Sequence, residues 1–271
     1  MTRPLLLTSL QNPRVKAVVG LRQRSDRDAR DEMIIEGYRE IKRALDNRHI
    51  PKVVFFCPGL YMGANEPALL DRCREAGAEL SECTAAVFEK MSYRDRPEGL
   101  LAIARQVRVS LDTLAAPANP LLVVAEAIEK PGNLGTILRT ADAAGAHAVI
   151  VCDRCTDINN PNVVRASIGT LFALPVVEAS TEATLAWLHR NRIQVLAATP
   201  HTDSEYYDVD MTRGTAVVVG TEQHGLSDRW MGAADLKVRI PMLGQADSLN
   251  VAAATTILLY EAVRQRRARA R

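Results

Sequence analysis

LLVVAEAIEKPGNLGTILRTADAAGAHAVIVC, residues 121–152, decides the fold. It opens on a continuous apolar run, Leu121 to Ala125, of the kind a strand buried on both faces requires. A helical stretch follows from about Gly135 to Ala144, and a second apolar run covers Ala148 to Cys152. Strand, helix and strand in about 30 residues make a βαβ unit with parallel strands. Downstream the alternation continues: helix Pro161 to Ile168, strand Ala173 to Val177, helix Glu182 to Arg190, then strands Ile193 to Ala198 and Thr215 to Val219. A short helix near Leu226 to Met231, a strand Leu236 to Ile240 and a last helix from about Asn250 to Arg266 complete the block. Such a pattern predicts a largely parallel sheet covered by helices. Ligands of such sheets sit outside the carboxyl ends of the strands, so the loops after Ala125, Ala198, Val219 and Ile240 are where chemistry is expected.

Upstream lies a smaller α/β block. Helices are expected over Asn12 to Arg24, Glu36 to Asn47, Glu66 to Ala76 and Thr84 to Met91, and strands over Val53 to Cys57, Glu79 to Cys83 and Leu100 to Val107. Residues 108–119, RVSLDTLAAPAN, lose the periodicity and run into Pro117 and Pro120, which reads as a linker. The expected division is therefore 1–107, a linker over 108–119, and 120–271.

The 271 residues are 47% apolar and 24% charged, ordinary usage for a globular chain. Aromatics supply only 4%, so Val, Leu, Ile and Ala must build the core. No run reaches the roughly 18 to 20 apolar residues that span a bilayer, and Met1 to Leu10 lacks the features of a signal peptide. A cytoplasmic location is expected. Five cysteines at irregular spacing make no disulfide framework, and Cys152-x-x-Cys155 lacks the second ligand pair that zinc needs, so no metal is expected. The formal net charge of +2 is unevenly spread: residues 1–50 carry 11 Lys/Arg against 7 Asp/Glu, and residues 261–271 carry five Arg against one Glu. Basic ends on an acidic body suit a polyanionic partner, and equally a pair of solvated termini.

Three of the four strand-exit loops are unusual. They read Glu129-Lys130-Pro131-Gly132-Asn133-Leu134-Gly135-Thr136-Ile137-Leu138-Arg139, Gly220-Thr221-Glu222-Gln223-His224-Gly225-Leu226, and Ile240-Pro241-Met242-Leu243-Gly244-Gln245-Ala246-Asp247-Ser248-Leu249-Asn250. Glycines at strand exits let backbone approach a ligand closely. Asn133, Arg139, Glu222, Ser248 and Asn250 would then surround one cleft, a polar site without His or Cys, ill-equipped for acyl transfer. Each residue alone also has a bland reading: Asn133, Asp247 or Ser248 as a helix cap, Arg139 paired with Asp142 one turn on. Neither G-x-x-x-x-G-K-[ST] nor G-x-G-x-x-G is present, which argues against a nucleotide-dependent oxidoreductase on the same kind of sheet.

Taken together, N-x-G-x-x-x-R (Asn133, Gly135, Arg139), G-x-E-x-x-G (Gly220, Glu222, Gly225) and I-P-M-x(5)-S-L-N (Ile240 to Asn250) resemble the three motifs of the SpoU/TrmH-type RNA ribose 2′-O-methyltransferases of the SPOUT superfamily. The first block more loosely resembles that family's L30e-like substrate-binding domain, through Asn12-Pro13, Glu36-Gly37 and Gly99 to Ala104. The resemblance implies a trefoil-knotted parallel-sheet methyltransferase domain behind a small L30e-like α/β domain, a homodimer, and S-adenosyl-methionine as cofactor. It implies cofactor contacts at Thr199, Gly220, Ile240 and Leu249, and a catalytic role for Arg139 supported by Asn133, Glu222, Ser248 and Asn250. Two mechanisms stay open for Arg139: partial loss of its proton so that it acts as base, or a permanent cation that stabilises the developing alkoxide. RNA contacts are expected at Arg14, Lys16, Arg22, Arg24 and Arg39, and at Arg165, for which a solvated helix position is an equal reading. On family analogy large-subunit (23S) ribosomal RNA is the favoured substrate. A transfer RNA, or a catalytically silent RNA-binding protein of the same fold, is the alternative.

Overall fold

The computed structural model describes residues 5–221 and 223–269. They form two compact units, one of residues up to Val107 together with Asp157–Ala173, the other of Arg108–Thr156 with Leu174 onward. In the first unit the chain runs β1 (Leu5–Leu7), α1 (Pro13–Gly20), α2 (Arg24–Arg30), β2 (Glu32–Glu36), α3 (Tyr38–Asp46), β3 (Val53–Phe56), α4 (Glu66–Glu75), β4 (Glu79–Cys83), α5 (Ala85–Met91) and β5 (Leu100–Arg105). Its mixed sheet has the order β1-β4-β3-β5-β2, with β5 antiparallel to both its neighbours. Helix α1 starts as its sequence dictates: Asn12 Oδ1 accepts from the Arg14 amide at 2.8 Å, and Pro13 occupies the first turn. The single helix expected over Asn12 to Arg24 is in fact two, broken where Leu21, Arg22 and Gln23 turn back on the carbonyls of α1. Leu7, Val15, Phe55, Phe88 and Ile103 share one core.

The second unit begins with β6 (Leu121–Glu126), α6 (Pro131–Ala143) and β7 (Ala148–Cys152). After β7 the chain joins the first unit through α7 (Pro161–Ala166). It returns as β8 (Val176–Ala179), α8 (Thr181–Arg190), β9 (Gln194–Ala198), β10 (Thr215–Val219), α9 (Asp228–Ala233), β11 (Leu236–Val238) and α10 (Val251–Arg269). All six strands are parallel, in the order β11-β9-β10-β6-β7-β8. Strand order reverses between β6 and β10, the kind of switch point at which open α/β sheets bind ligands. From the edge strand β11 the chain returns to lay α10 against α6 and β10. Leu122, Val124, Ile150, Val195, Val218, Trp187 and Trp230 form the core.

Helix α6 begins four residues earlier than its apolar periodicity suggests, because Pro131 pre-sets the φ of the first turn. Helix α10 runs three residues further than expected, with Arg266, Arg267 and Arg269 in its last turn, where cations oppose the helix dipole. Among the described residues no helix is long and apolar enough to cross a membrane.

Candidate active site

The carboxyl ends of β9, β10 and β11 and the turn before α10 enclose a cavity of about 700 Å³, within the size of small-molecule sites. Thr199, Gly220, Ile240 and Leu249 all line it, with Ser248 and Asp247 at its rim. Val219, Leu226, Met231 and Val238 give it an apolar wall. His201 and His224 also line it, so the cleft is not without histidine as its polar set suggests.

Loop geometry after β10 is set by a close backbone contact. Thr221 and Gly225 exchange two backbone hydrogen bonds of 3.0 Å, and Gly225 takes a φ of 68°. Gly220 lies so near this turn that a Cβ there would stand 2.2 Å from the Gly225 carbonyl oxygen. Glu222 lies outside the described residues. The far side of the loop is held by Glu126, which is buried at the end of β6 and accepts from the Ser227 amide at 2.9 Å. Sequence reading stopped that strand at Ala125; a glutamate closing an otherwise apolar buried run was the missed signal.

The first and last motifs meet directly. Asn250 Oδ1 accepts from the Ala252 amide at 3.0 Å and so caps α10. That contact turns its Nδ2 outward, and Nδ2 donates to Asn133 Oδ1 at 3.1 Å. Two turns along, Thr140 and Thr256 hydroxyls pair at 3.2 Å, so α6 and α10 stay in register. Asn133 is therefore not a cap, because Lys130 holds that position, and neither Asp247 nor Ser248 caps α10. Arg139 lies in the interior of α6 and is exposed. It does not pair with Asp142: among the described residues no hydrogen bond or ion pair engages its guanidinium, and it does not line the cavity.

The basic residues divide into two sets. Arg14 pairs with Glu79, Arg22 donates to the carbonyls of Lys90 (3.0 Å) and Ser92 (2.6 Å), and Arg24 pairs with Asp28 at 3.4 Å. Lys16, Arg39 and Arg165 are exposed, and among the described residues no partner engages their charged groups. Cys152 is buried beside the Thr184 hydroxyl at 3.2 Å, and burial pushes its thiol up to about 12, whereas Cys155 is exposed. Among the described residues no group of three or more His, Cys, Asp or Glu is placed to hold a metal.

Comparison with known proteins gives this geometry its family. Residues 120–260 match the SpoU rRNA Methylase family, and residues 12–102 match the MRM3-like substrate binding domain. The chain is 32% identical over 252 residues to the 23S rRNA (uridine(2479)-2′-O)-methyltransferase of Streptomyces viridochromogenes, an alignment covering 91% of this chain and 87% of that protein. It resembles the crystal structure of an AdoMet-bound rRNA methyltransferase from Sinorhizobium meliloti with a TM-score of 0.87 at 33% identity, over 96% of this chain and 97% of that one. A crystal structure of an RNA 2′-O ribose methyltransferase matches with a TM-score of 0.84 at 40% identity, over 97% of this chain and 99% of that one. With its second unit matched from the first strand into the last helix, and relatives aligned over nearly their whole length, the chain belongs to the SpoU rRNA methylase family.

Proposed function

We propose that the chain is an S-adenosyl-methionine-dependent RNA methyltransferase that modifies a ribose 2′-hydroxyl of 23S ribosomal RNA. The observation that carries this reading is the hydrogen bond between Asn250 and Asn133, which draws the helix of Arg139 to the turn that walls the cavity. The cavity fits the cofactor in kind: an apolar wall for a nucleoside, glycine backbone at Gly220 that leaves no room for a side chain, and polar groups at Thr199 and Ser248. When bound there, the cofactor supplies a methyl group on a positively charged sulfur, an electrophile that needs no acid.

The chain's own residues then have one hard task, the ribose hydroxyl. Its oxygen gains negative charge as it attacks, and Arg139 presents an exposed cation that no group among the described residues engages. A guanidinium is a poor base but a strong donor to a developing alkoxide. We assign Arg139 that electrostatic role, with Asn133 and Asn250 holding its helix in place and Ser248 and Glu222 completing the site.

Residues 1–107, joined by Asp157–Ala173, act as the RNA-binding part, 108–119 as linker and the rest as the transferase, with Lys16, Arg39 and Arg165 the cations best placed to meet phosphate and Arg14, Arg22 and Arg24 partly committed within the fold. Ribosomal RNA is preferred to transfer RNA because the curated relative acts on 23S rRNA. The return of α10 from the edge strand to the middle of the sheet suits a trefoil knot. Exposed Leu243 and Tyr260 suit a homodimer, and five free thiols suit the cytoplasm.

The test is incubation with radiolabelled cofactor and unmodified 23S rRNA, followed by mapping of the methylated ribose. Label in RNA at one 2′-oxygen is expected. Cofactor binding with no transfer to any RNA would favour a silent RNA-binding protein.

A further inference from the structure

Helix α7 is flanked in sequence by strands β7 and β8 of the parallel sheet, yet residues 157–173 belong to the first unit. Both of its ends are gripped there. At the amino end Arg27 donates to Asp157 Oδ2 from Nε at 3.2 Å and Nη2 at 2.6 Å. The two side chains are only 2% and 6% exposed. Arg27 spends its remaining donors on the carbonyls of Leu21 (2.8 Å) and Arg22 (3.0 Å). Asp157 Oδ1 accepts from the Asn159 amide at 2.9 Å, and the Asn159 side chain in turn accepts from Val107 N at 2.7 Å. Asn160 then caps α7 by accepting from Asn162 N at 2.9 Å.

At the carboxyl end Gly169 takes a φ of 78° and lies so close to α3 that a Cβ would stand 2.9 Å from Glu40 Cα. Arg43 donates to the carbonyl of Ile168. Between the grips, Arg165 is exposed, and among the described residues nothing engages its guanidinium.

A buried ion pair adds little net stability over apolar side chains of similar volume, but it fixes geometry through directed bonds. We propose that Arg27 and Asp157 are positioning residues for RNA: they set α7 on the substrate-binding unit so that Arg165 meets an RNA phosphate in register with Arg39 and Lys16. The inference rests on the RNA-methyltransferase reading. Neither Arg27 nor Asp157 touches substrate; both act through Arg165.

The test uses Arg27→Met/Asp157→Leu, which replaces the pair by apolar groups, alongside Arg165→Ala and Arg27→Lys in the full chain. Equilibrium binding of 23S rRNA and the KM for RNA at saturating cofactor are both read. The apolar double variant leaves the Leu21 and Arg22 carbonyls and the Asn159 amide without these partners, so its thermal midpoint is expected to fall. Its affinity for S-adenosyl-methionine should stay unchanged while RNA affinity falls about tenfold, the loss of one charged hydrogen bond. Turnover at saturating RNA should stay unchanged. Arg165→Ala should lose a similar factor, and adding it to the double variant should change little, because both remove the same contact. Arg27→Lys keeps the charge but not the fork and should fall between. A stably folded double variant with wild-type RNA affinity, or an Arg165→Ala chain that binds RNA normally, would overturn the proposal. Should the double variant not fold, Arg27→Lys and Arg165→Ala decide by the same criterion. Failure of the wild type to methylate any RNA would instead strike the reading beneath it, since RNA binding is measured separately.

Discussion

Asn250 Nδ2 donates to Asn133 Oδ1 at 3.1 Å across 117 residues of chain, joining the first helix of the parallel-sheet unit to the cap of its last. Because Asn250 Oδ1 is already committed to the Ala252 amide, the amide can face Asn133 only through its NH₂. Replacing either asparagine by alanine should therefore release this constraint, and Asn250→Ala removes the cap of α10 as well. Each single change is expected to lower turnover at least about tenfold, and the double change to cost scarcely more, with a coupling of roughly 1–2 kcal/mol between the two sites. A double-mutant cycle on kcat checks this; additive effects would show that the two side chains act separately.

Arg139→Ala should abolish methyl transfer while the affinity for S-adenosyl-methionine, measured by calorimetry, stays near wild type, because Arg139 does not line the cavity. Arg139→Lys keeps the charge without the planar fork, and we expect partial activity. Near-normal turnover of the alanine variant would remove Arg139 from the mechanism. A lysine variant whose rate rises with pH would favour the base over the electrostatic role.

Gly220→Ala tests the cavity from the other side. The added methyl would stand 2.2 Å from a backbone oxygen and 2.4 Å from its carbon, so the 221–225 turn must move away. Loss of cofactor affinity by at least about tenfold is expected, with destabilisation of roughly 1–3 kcal/mol from the overpacked contact. Isothermal titration and thermal unfolding measure the two effects, and an alanine variant with unaltered affinity would place the cofactor elsewhere.

The parallel unit was legible because a strand buried on both faces writes an unbroken apolar run: Leu121 to Ala125, Ala148 to Cys152 and Thr215 to Val219 all emerge where expected. Less legible were β1 and β2. Leu5–Leu7 is three residues long, and Met33, Ile34 and Ile35 stand between Glu32 and Glu36, so charge masked a strand whose Glu36 is buried against the Ser92 hydroxyl at 2.5 Å. Helix α2 was hidden for a similar reason, since its RSDRDAR carries no apolar stripe and is held by the buried Arg27 instead. In the site, polar residues at strand exits pointed to Ser248 because exits are where ligands bind, whereas the contacts at Gly220 and Leu249 were legible only through the resemblance to the family's motifs. His201 and Glu126 escaped because their placement depends on how separate loops fold back, which local pattern does not encode.

Glu261 gives a pH dependence with a definite sign. It is buried on α10, and the Arg264 hydrogen bonds at 2.7 and 2.8 Å hold its carboxyl below the ordinary glutamate value of 4.5. A carboxyl depressed in the folded state binds fewer protons there than in the unfolded chain. Its contribution is therefore complete above the ordinary value and is lost as the pH falls below 4.5 toward the lower folded value. Thermal midpoints of the wild type should drop more steeply over that range than those of Glu261→Gln. Parallel curves for the two proteins would deny Glu261 this role.

The same helix ends in a second anchor, and it carries the strongest stability prediction. The last helix, expected to end near Arg266, continues to Arg269, and Arg266 turns back into the unit. Its guanidinium donates to four backbone carbonyls: Met211 at 3.0 Å, Asn119 at 2.9 Å, Pro120 at 3.1 Å and Arg213 at 2.6 Å. Those carbonyls precede β6 and β10, so one side chain closes the amino ends of two central strands against the end of the chain. Gln265 adds bonds to Val209 O at 2.9 Å and from Met211 N at 2.8 Å. Burial lowers the Arg266 pKa, yet the cation persists at neutral pH. Arg266→Ala removes charged hydrogen bonds and strips the Met211 and Asn119 carbonyls of their donor, while Pro120 and Arg213 keep bonds from Thr215, which should cost roughly 2–4 kcal/mol after allowance for its partial exposure. Arg266→Lys should recover little of this, because an ammonium cannot reach four acceptors spread around a planar fork. The neighbouring Arg267, exposed and one position round the helix, supplies the control: Arg267→Ala should change stability by less than about 0.5 kcal/mol. Chemical denaturation of the three variants separates the cases, and hydrogen exchange along α10 should accelerate only where Arg266 is replaced. Equal stability of Arg266→Ala and Arg267→Ala would mean that the four carbonyls are as well served by water as by the arginine.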